Sequence, residues 1–414
     1  RTGSGSIRKG PFSGLRGVNA KTWDTVIVGG AVIGSSVAYW LSENPDYDGN
    51  VLIVEADPTY ERSSTTLSEA SIRHQFSNPV NIALSRFATD FSSDFHSHVE
   101  VDGEAPDLGF RDTGYLFLAT ESGMAALQEN HEVQVACGAE VVLLDPSELR
   151  DRFPYLFVDD LGGGSLGLSH EGSLDAYALM RGFQRRARRN GVEYLTDRVV
   201  DLELSETGDR VTGVELSSGK ILKCGWVVNC AGPGARWVAE MAGLELPIEP
   251  RIRSVFAFDC QEALEGTLLP LTIDPCGLHV RTDPPHYLSG IPPDPDVEVE
   301  RGDFRVRREE WEDLVWPALA HRIPAFERVR LTHTWAGHYA YNTLDQNAVV
   351  GSAGPVENFL FANGFSGHGL QQSPGVGRAV SELIIYGNYR CLDLSELGYE
   401  RILREEPFFE RSII

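Results

Sequence analysis

The hydrophobic pattern becomes regular at residues 24–29 (DTVIVG), a short run of β-branched and apolar positions that ends in glycine. Residues 32–41 follow with the apolar spacing of a helix, and 51–55 (VLIVE) form a second uninterrupted apolar run of strand length. A strand, a glycine-rich turn, a helix and a second strand in this order predict a βαβ unit with parallel strands.

Further elements follow from the same periodicities along the rest of the chain. Helices are predicted over 79–99, 124–138, 146–153, 177–190, 237–242, 307–316 and 375–386. Strands are predicted over 115–119, 141–144, 192–195, 199–204, 211–216, 226–231, 287–290 and 359–362. Because proline interrupts helices, one helix is expected to stop at Pro317 and another to begin after Pro374. Nucleotide-binding types of element therefore occur at the start, near 170–245 and at the end, with β-rich segments between them.

Composition narrows the class of protein. A length of 414 residues suits two or three domains, and 42% hydrophobic with 23% charged residues excludes wholesale disorder. The net charge of −24 repels phosphate backbones, so nucleic acid is not expected as a partner. A basic cluster within 181–189 runs against this trend and is expected to be a solvated helix face.

The cysteines and the N-terminal segment bear on metal and compartment. Six scattered cysteines without a C-x-x-C pair argue against a metal site and favour a reducing compartment. Residues 1–23 carry five bases and no acid, and are expected to be a tail, a linker or part of a transit peptide. No run approaches the roughly 18 apolar residues of a membrane span. The cytoplasm is therefore predicted, with the mitochondrial matrix as the alternative.

The first candidate site is the turn after the first strand, residues 29–34. The dinucleotide fingerprint has glycine at its first, third and sixth positions, and Ala31 occupies the third position here. The following helix N-terminus attracts phosphate, and Glu55 ends the next strand, where a carboxylate bonds ribose hydroxyls. This acid disfavours a 2′-phosphate and leaves NAD or FAD, the alternative being a glycine-rich turn beside an incidental acid.

Three more segments carry candidate chemistry. The hydroxyls of Ser63, Ser64, Thr65 and Thr66 can bond a diphosphate and a ribityl chain, or belong to a solvated loop. Arg73 is either a fork for a carboxylate or a surface ion-pair partner. Small residues in 227–234 (VVNCAGPG) allow close approach of the backbone to a cofactor, as they would in a plain turn.

The fourth segment, 363–375, holds three glycines within six residues before Pro374 and a helix. A helix N-terminus here stabilises the negative charge that a reduced flavin gains. His368 is a catalytic candidate, although histidine in a tight turn is more often structural.

These four segments, in this order, resemble the FAD-dependent D-amino acid oxidase superfamily from residue 24 onward. The similarity is to its sarcosine oxidase/glycine oxidase branch and to the mitochondrial FAD-dependent oxidoreductase domain-containing proteins. It rests on NGFSGHGLQQSPGVGRAVSELI (363–384), WAGHYAYNTLDQNAVVG (335–351) and VVNCAGPGARWVAEMAG (227–243).

The resemblance implies an α/β (α+β two-domain) fold: a Rossmann-like FAD-binding domain with an interleaved antiparallel β-sheet substrate domain. The FAD-binding domain would comprise 24–105, 166–245 and 335–414, and the substrate domain 106–165 and 246–334, after the tail 1–23. It also implies noncovalent FAD, which would be contacted by Gly29, Gly30, Ala31, Val32, Ile33, Gly34, Glu55, Ser63, Ser64, Thr65, Thr66, Val199, Ala231 and Gly232, with the isoalloxazine ring wrapped by Gly364, Phe365, Ser366, Gly367, His368, Gly369, Leu370 and Gln371.

The same resemblance suggests catalytic residues. Arg73 aligns with the arginine that binds the substrate carboxylate in sarcosine oxidases. Gln371 aligns with the lysine that binds the same carboxylate there, so one of the two carboxylate-binding positions is neutral here. His338 falls on the cysteine that carries covalent flavin, where a histidine either forms an 8α link or is a noncovalent neighbour of the ring. His279 falls on a lid tyrosine. The oxygen-activating lysine of those oxidases lies in the sheet domain, and no lysine follows Lys223 here, which argues against rapid use of O2.

The implied reaction is FAD-dependent oxidation of a secondary or N-methyl amine of an amino acid. Hydride passes to flavin N5, and the imine hydrolyses. The electron acceptor is O2 or a protein or quinone. One alternative is a dehydrogenase, or the flavin subunit of a larger oxidase, that passes electrons to a partner. The other is an FAD-containing assembly or interaction protein without turnover.

Overall fold

A computed structural model describes residues 21–260, 264 and 268–411. In this part of the chain the strands are β1 (Trp23–Val28), β2 (Val51–Glu55), β3 (Ser71–Ile72), β4 (Arg111–Asp112), β5 (Tyr115–Ala119), β6 (Val141–Leu144), β7 (Gly163–Gly167), β8 (Gly172–Ser173), β9 (Glu193–Thr196), β10 (Val199–Leu204), β11 (Val211–Leu216), β12 (Ile221–Asn229), β13 (Ile248–Cys260), β14 (Leu271–Ile273), β15 (His279–Asp283), β16 (His286–Gly290), β17 (Val329–Asn342), β18 (Val349–Ser352) and β19 (Phe359–Asn363).

The described helices surround these strands. They are α1 (Val32–Glu43), α2 (Pro79–Ser93), α3 (Phe95–Val99), α4 (Met124–Ala136), α5 (Pro146–Arg152), α6 (Ala176–Arg189), α7 (Ala235–Met241), α8 (Arg308–Glu310), α9 (Trp316–Arg322), α10 (Gly369–Tyr386) and α11 (Glu400–Leu403). No described helix is long and apolar enough to cross a membrane.

The first sheet has eight strands and is built on the predicted βαβ unit. Its path runs β10-β11-β12-β1-β2-β9, with β19 beside β12 and β18 beside β19. Strands β19, β12, β1, β2 and β9 are parallel. Because side chains alternate along a strand, Val26 and Val28 of β1 pack in the cluster that contains α7, whereas Ile27 packs with α1 and α10.

The second sheet also has eight strands, in the order β17-β13-β16-β15-β14-β5-β7-β6. Strands β13 and β17 pair antiparallel from Ile248↔Asn342 to Cys260↔Val329. A helical segment formed by α8, a π-helical turn (Trp311–Val315) and α9 packs on this sheet through Trp311, Val315 and Leu319. The predicted fold class, a Rossmann-like unit with an interleaved antiparallel sheet, is confirmed.

Two strands cross the domain boundaries expected from the sequence. Strand β7 spans the boundary at 165/166, and β17 spans that at 334/335, and both belong wholly to the second sheet. The tail expected over 1–23 lies outside the described residues up to residue 20, and Trp23 is already part of β1. The arginines of α6 form a partly ion-paired face, with Arg186 bonded to Glu43.

The two helix boundaries predicted from Pro317 and Pro374 are both wrong. Helix α10 begins at Gly369, six residues before the predicted start, and Pro374 lies inside it. Pro374 lacks the N–H that would bond the Leu370 carbonyl, and the Ser373 hydroxyl donates to that oxygen instead (2.8 Å).

The helix expected to stop at Pro317 continues to Arg322, after the π-helical turn that immediately precedes α9. That wider turn changes the hydrogen-bond register ahead of the proline, so the chain continues past a residue without an N–H. The single helix expected over 79–99 is two helices, which separate at Asp94.

Candidate active site

A cavity of about 1020 Å³ lies between the two sheets. One wall is formed where β1, β2 and β12 end at their carboxyl edge, which is where parallel α/β sheets bind ligands. The opposite wall is formed by the second sheet, with Tyr115, Val255, Leu271, His279 and Tyr339 facing the cavity. The topology therefore brings the nucleotide-type turn and the β-rich segments to one space.

The turn after β1 needs glycine for steric reasons. Gly29 has φ +99°, and a Cβ there would lie 2.5 Å from the Cys230 carbonyl oxygen. A Cβ on Gly34 would lie 1.9 Å from the Gly29 oxygen. Ala31, Val32 and Ile33 line the cavity together with Gly29, so the N-terminus of α1 faces it. This positive helix end suits a phosphate.

Glu55 supports the same turn from the end of β2. Its Oε2 accepts the Gly30 N–H and its Oε1 accepts the Asp57 N–H, both at 2.7 Å. Glu55 also lines the cavity, and each carboxylate oxygen has a second lone pair for a ribose hydroxyl. Gly30 and Gly34 do not line the cavity, and their role is to shape the turn.

Three of the four hydroxyl-bearing residues predicted to contact the cofactor line the cavity. Thr65 is buried, and its Oγ1 accepts the Val32 N–H at 3.3 Å. Ser64 donates to the His338 carbonyl oxygen at 2.7 Å. Ser63 also lines the cavity, whereas Thr66 is exposed and accepts a hydrogen bond from Ser63 instead.

The predicted neighbours of adenine and the flavin ring also converge. Val199, Ala231 and Gly232 line one end of the cavity, and residues 365–371 line another, while Gly364 stays behind the wall. Gly367 has φ +99°, and a Cβ there would lie 2.6 Å from the Tyr339 ring. Because α10 begins at Gly369, its positive end faces the cavity, as a reduced flavin would require.

Arg73 is a buried cation at the cavity wall, with 1% of its surface exposed. Its Nη2 donates to His368 Nε2 at 3.0 Å, and its guanidinium carbon lies 4.7–5.5 Å from the ring centres of Phe76, Tyr115 and Phe117. Burial and the charge of Arg73 hold the pKa of His368 well below its usual range, so His368 is neutral and accepts this bond. Gln371 Oε1 accepts a hydrogen bond from the backbone N–H of Arg73 at 2.8 Å.

The two predicted histidines differ in their surroundings. His279 Nε2 lies 2.7 Å from Glu69 Oε1 at the cavity wall. His338 Nε2 donates to the Asp303 carbonyl oxygen at 2.5 Å, and its ring stacks on Phe304 at 4.2 Å. Burial lowers the pKa of His338, which therefore is a neutral ring held between a carbonyl and an aromatic face.

Two acids, Glu69 at the cavity wall and Glu171 near Arg73, escaped the sequence prediction. Glu69 lies in the hydroxyl-rich segment, but its partner His279 is 210 positions away in the chain. Glu171 is buried, accepting the His74 N–H and the Gln75 side-chain amide at 2.7 and 2.8 Å. Burial raises the pKa of Glu171 to about 7, against those bonds and the charge of Arg73. In the sequence, the only sign of either residue is a single acid in its segment.

The cavity fits an FAD molecule on steric and chemical grounds. It offers two glycine-shaped turns where a Cβ would collide, a carboxylate at the ribose position and two helix N-termini for negative charge. A fold with a dinucleotide turn at one end of such a cavity and a second helix start at the other is typical of a flavin-dependent oxidoreductase.

The family model described as FAD dependent oxidoreductase (DAO) matches residues 24–383, and the chain belongs to this family. It is 38% identical to FAD-dependent oxidoreductase domain-containing protein 1 of Xenopus laevis, over 98% of this chain and 87% of the relative. It is 26% identical to mitochondrial sarcosine dehydrogenase of Homo sapiens, over 93% of this chain and 42% of that protein.

Among solved structures, L-proline dehydrogenase from P. horikoshii superimposes with a TM-score of 0.82 at 25% identity, covering 94% of this chain and all of the other. The predicted family, the enzyme class and FAD as the cofactor are thereby confirmed. The roles of the individual site residues stay predictions.

Proposed function

We propose that the protein oxidises the secondary or N-methyl amine of an amino acid. The observation that carries this proposal is Arg73, a buried guanidinium set at the cavity wall among three aromatic rings and the neutral His368. A fixed, desolvated guanidinium suits a carboxylate, because charged hydrogen bonds strengthen where water is excluded. The relatives named sarcosine dehydrogenase and L-proline dehydrogenase carry such substrates in their names.

Bound FAD supplies a two-electron acceptor for the hydride of the substrate C–H bond. The residues that would hold it are those of the two glycine turns, Glu55 and the hydroxyls of Ser63, Ser64 and Thr65. Arg73 binds the substrate carboxylate, and Gln371, whose Oε1 accepts a hydrogen bond from the Arg73 backbone N–H, lines the cavity beside it. Tyr115 and Tyr339 exclude water around the reacting bond.

An anaerobic absorbance titration tests the proposal. The purified yellow protein is titrated with sarcosine, other N-methyl amino acids, proline and pipecolate. Bleaching of the flavin band by at least one member is expected, and the matching N-acetyl compounds, which lack a basic amine, should leave the band unchanged. If no member bleaches a protein that carries stoichiometric FAD, the proposal is wrong, and the non-catalytic assembly role gains support.

A second candidate concerns the electron acceptor: we propose a dehydrogenase that passes electrons to a protein or quinone instead of O2. The basic side chains among the described cavity-lining residues are arginines and histidines, with no lysine to take the oxygen-activating role. The two relatives above are named dehydrogenases. Air admitted to substrate-reduced protein should reoxidise the flavin slowly, whereas an artificial quinone should do so quickly. Fast reoxidation by air would favour an oxidase.

The pH dependence of carboxylate binding provides a further prediction. Because Glu171 has a pKa of about 7, it is mostly neutral below pH 7 and ionised above it, where it opposes the field of Arg73. The affinity for an unreactive carboxylate such as propionate should therefore fall about fivefold between pH 6 and pH 8. Glu171→Gln should flatten this dependence. Equal slopes in the two proteins would contradict the assignment.

The mode of flavin attachment is a further part of the proposal. We propose noncovalent FAD, with His338 as a neighbour of the cofactor that is held by Asp303 and by its stack on Phe304. Acid precipitation should therefore release the FAD into the supernatant.

The two-domain division is proposed with the boundaries moved to the ends of β7 and β17. The cytoplasm, or the mitochondrial matrix as in the relative named mitochondrial, stays a prediction.

A further inference from the structure

A partly buried carboxylate and imidazole pair lies at the cavity wall in addition to Arg73. Glu69 Oε1 and His279 Nε2 are 2.7 Å apart, and their side chains are 14% and 16% exposed, toward the cavity that both residues line. Burial opposes ionisation of Glu69, but the attraction and hydrogen bond of His279 and the charge of Arg281 outweigh it and lower the pKa of Glu69. Glu69 is therefore an ionised carboxylate at the cavity wall, held in place by His279.

The backbone around Glu69 is held in an unusual conformation. Ala70 has φ 55°, in the left-handed region that non-glycine residues seldom adopt, and its N–H donates to Ser68 Oγ at 2.9 Å. Arg281 Nη2 donates to the Glu69 carbonyl oxygen at 2.8 Å, and Trp335 donates to that of Leu67 at 3.1 Å. Contacts from β15 and β17 thus fix the strained segment, and strain of this kind concentrates at functional sites.

Glu69 and Arg73 lie near the same aromatic side chains of the cavity wall. The hydroxyls of Tyr115 and Tyr339 both lie within electrostatic reach of Glu69 and of Arg73. Tyr115 is itself 5.5 Å, measured at its ring centre, from the Arg73 guanidinium carbon. This part of the cavity wall therefore holds a cation and a carboxylate near the same two tyrosines.

We infer that Glu69 binds the amine nitrogen of the substrate, and that His279 is a positioning residue that orients the Glu69 carboxylate. The inference deepens the proposed function and rests on it. A substrate held between Arg73 and Glu69 is a zwitterionic amino acid with an unblocked amine, since that class presents a carboxylate together with a positively charged amine. Hydroxy acids and N-acyl amino acids lack the charge that Glu69 would bind.

An isosteric pair of unreactive ligands tests this on the FAD-loaded protein. 2-Aminoisobutyrate and 2-hydroxyisobutyrate share a shape and a carboxylate, have no hydrogen on the α-carbon and differ in the group that Glu69 would bind. Their dissociation constants are measured from the shift of the flavin absorption spectrum. The wild-type protein should bind the amino acid at least about tenfold more tightly, as a charged hydrogen bond predicts.

Glu69→Gln should abolish that preference and change the affinity for the hydroxy acid by less than about twofold. If Glu69 had only a structural role, the substitution would weaken the binding of both ligands and leave the preference for the amino acid intact. Glu61→Gln is the matched control, because Glu61 is an exposed acid of the same segment outside the cavity. If Glu69→Gln does not retain FAD, His279→Gln, which removes the other half of the pair, should reduce the preference.

The outcomes separate this inference from the proposed function. Equal binding of the two ligands by the wild type, or an unchanged preference in the variants, overturns the role of Glu69. The proposed function would still stand if an amino acid bleaches the flavin in the anaerobic titration. A wild-type protein that binds neither ligand also overturns the inference, and the absence of bleaching overturns both.

Discussion

Replacement of Arg73 by alanine should lower kcat/KM for a carboxylate-bearing amine by about 10- to 150-fold, mainly through KM. This corresponds to about 1.5–3 kcal/mol, the usual loss when a hydrogen bond to a charged group is removed. The loss falls on KM because Arg73 is proposed to bind the carboxylate equally in the ground and transition states. Steady-state kinetics with the amino acid that bleaches the flavin gives the measurement.

The controls for Arg73 separate charge from packing. Because Arg73 is buried among Phe76, Tyr115 and Phe117, its truncation also leaves a void. Arg73→Met fills most of that volume without charge and should show the same rise in KM. Arg86→Ala removes an exposed cation of helix α2 outside the cavity and should leave KM unchanged. A KM for Arg73→Met equal to that of the wild type would refute carboxylate binding at this position.

Gly34→Ala should destabilise the protein by at least about 3 kcal/mol and largely abolish FAD retention. The added Cβ would lie 1.9 Å from the Gly29 carbonyl oxygen, so the turn and helix α1 must move apart, at the upper end of the cost of overpacking. That movement displaces the helix N-terminus from the phosphate position. The ratio of bound FAD to protein after gel filtration, and the free energy of unfolding of the purified protein, report the two effects.

The control for this prediction is an alanine at a glycine with open space. Gly302 is exposed at the cavity rim, and a Cβ there would meet no atom within 4 Å. Gly302→Ala should therefore keep the FAD content and stability of the wild type. If Gly34→Ala retained full FAD with unchanged stability, the steric argument for the dinucleotide turn would be refuted.

Local patterns predicted the elements whose signals lie within a few residues. The βαβ unit of β1, α1 and β2 could be recognised because its apolar periods and glycines are contiguous. The start of α10 could not, because Ser373 compensates the missing N–H of Pro374 through the helix itself. Strands β13 and β17 also escaped prediction, since their stability comes from pairing with each other at separations of 69 or more positions.

The candidate site shows the same division. The sequence by itself determined the family, the cofactor turn, the acid at Glu55 and the presence of Arg73, because these depend on residue types at short fixed spacings. Tertiary structure alone decided that Glu69 meets His279, that Thr66 faces away from the cavity and that Glu171 is buried beside Arg73. The reason is physical: burial and opposing charges depend on which distant segments pack together, and a single sequence does not display that arrangement.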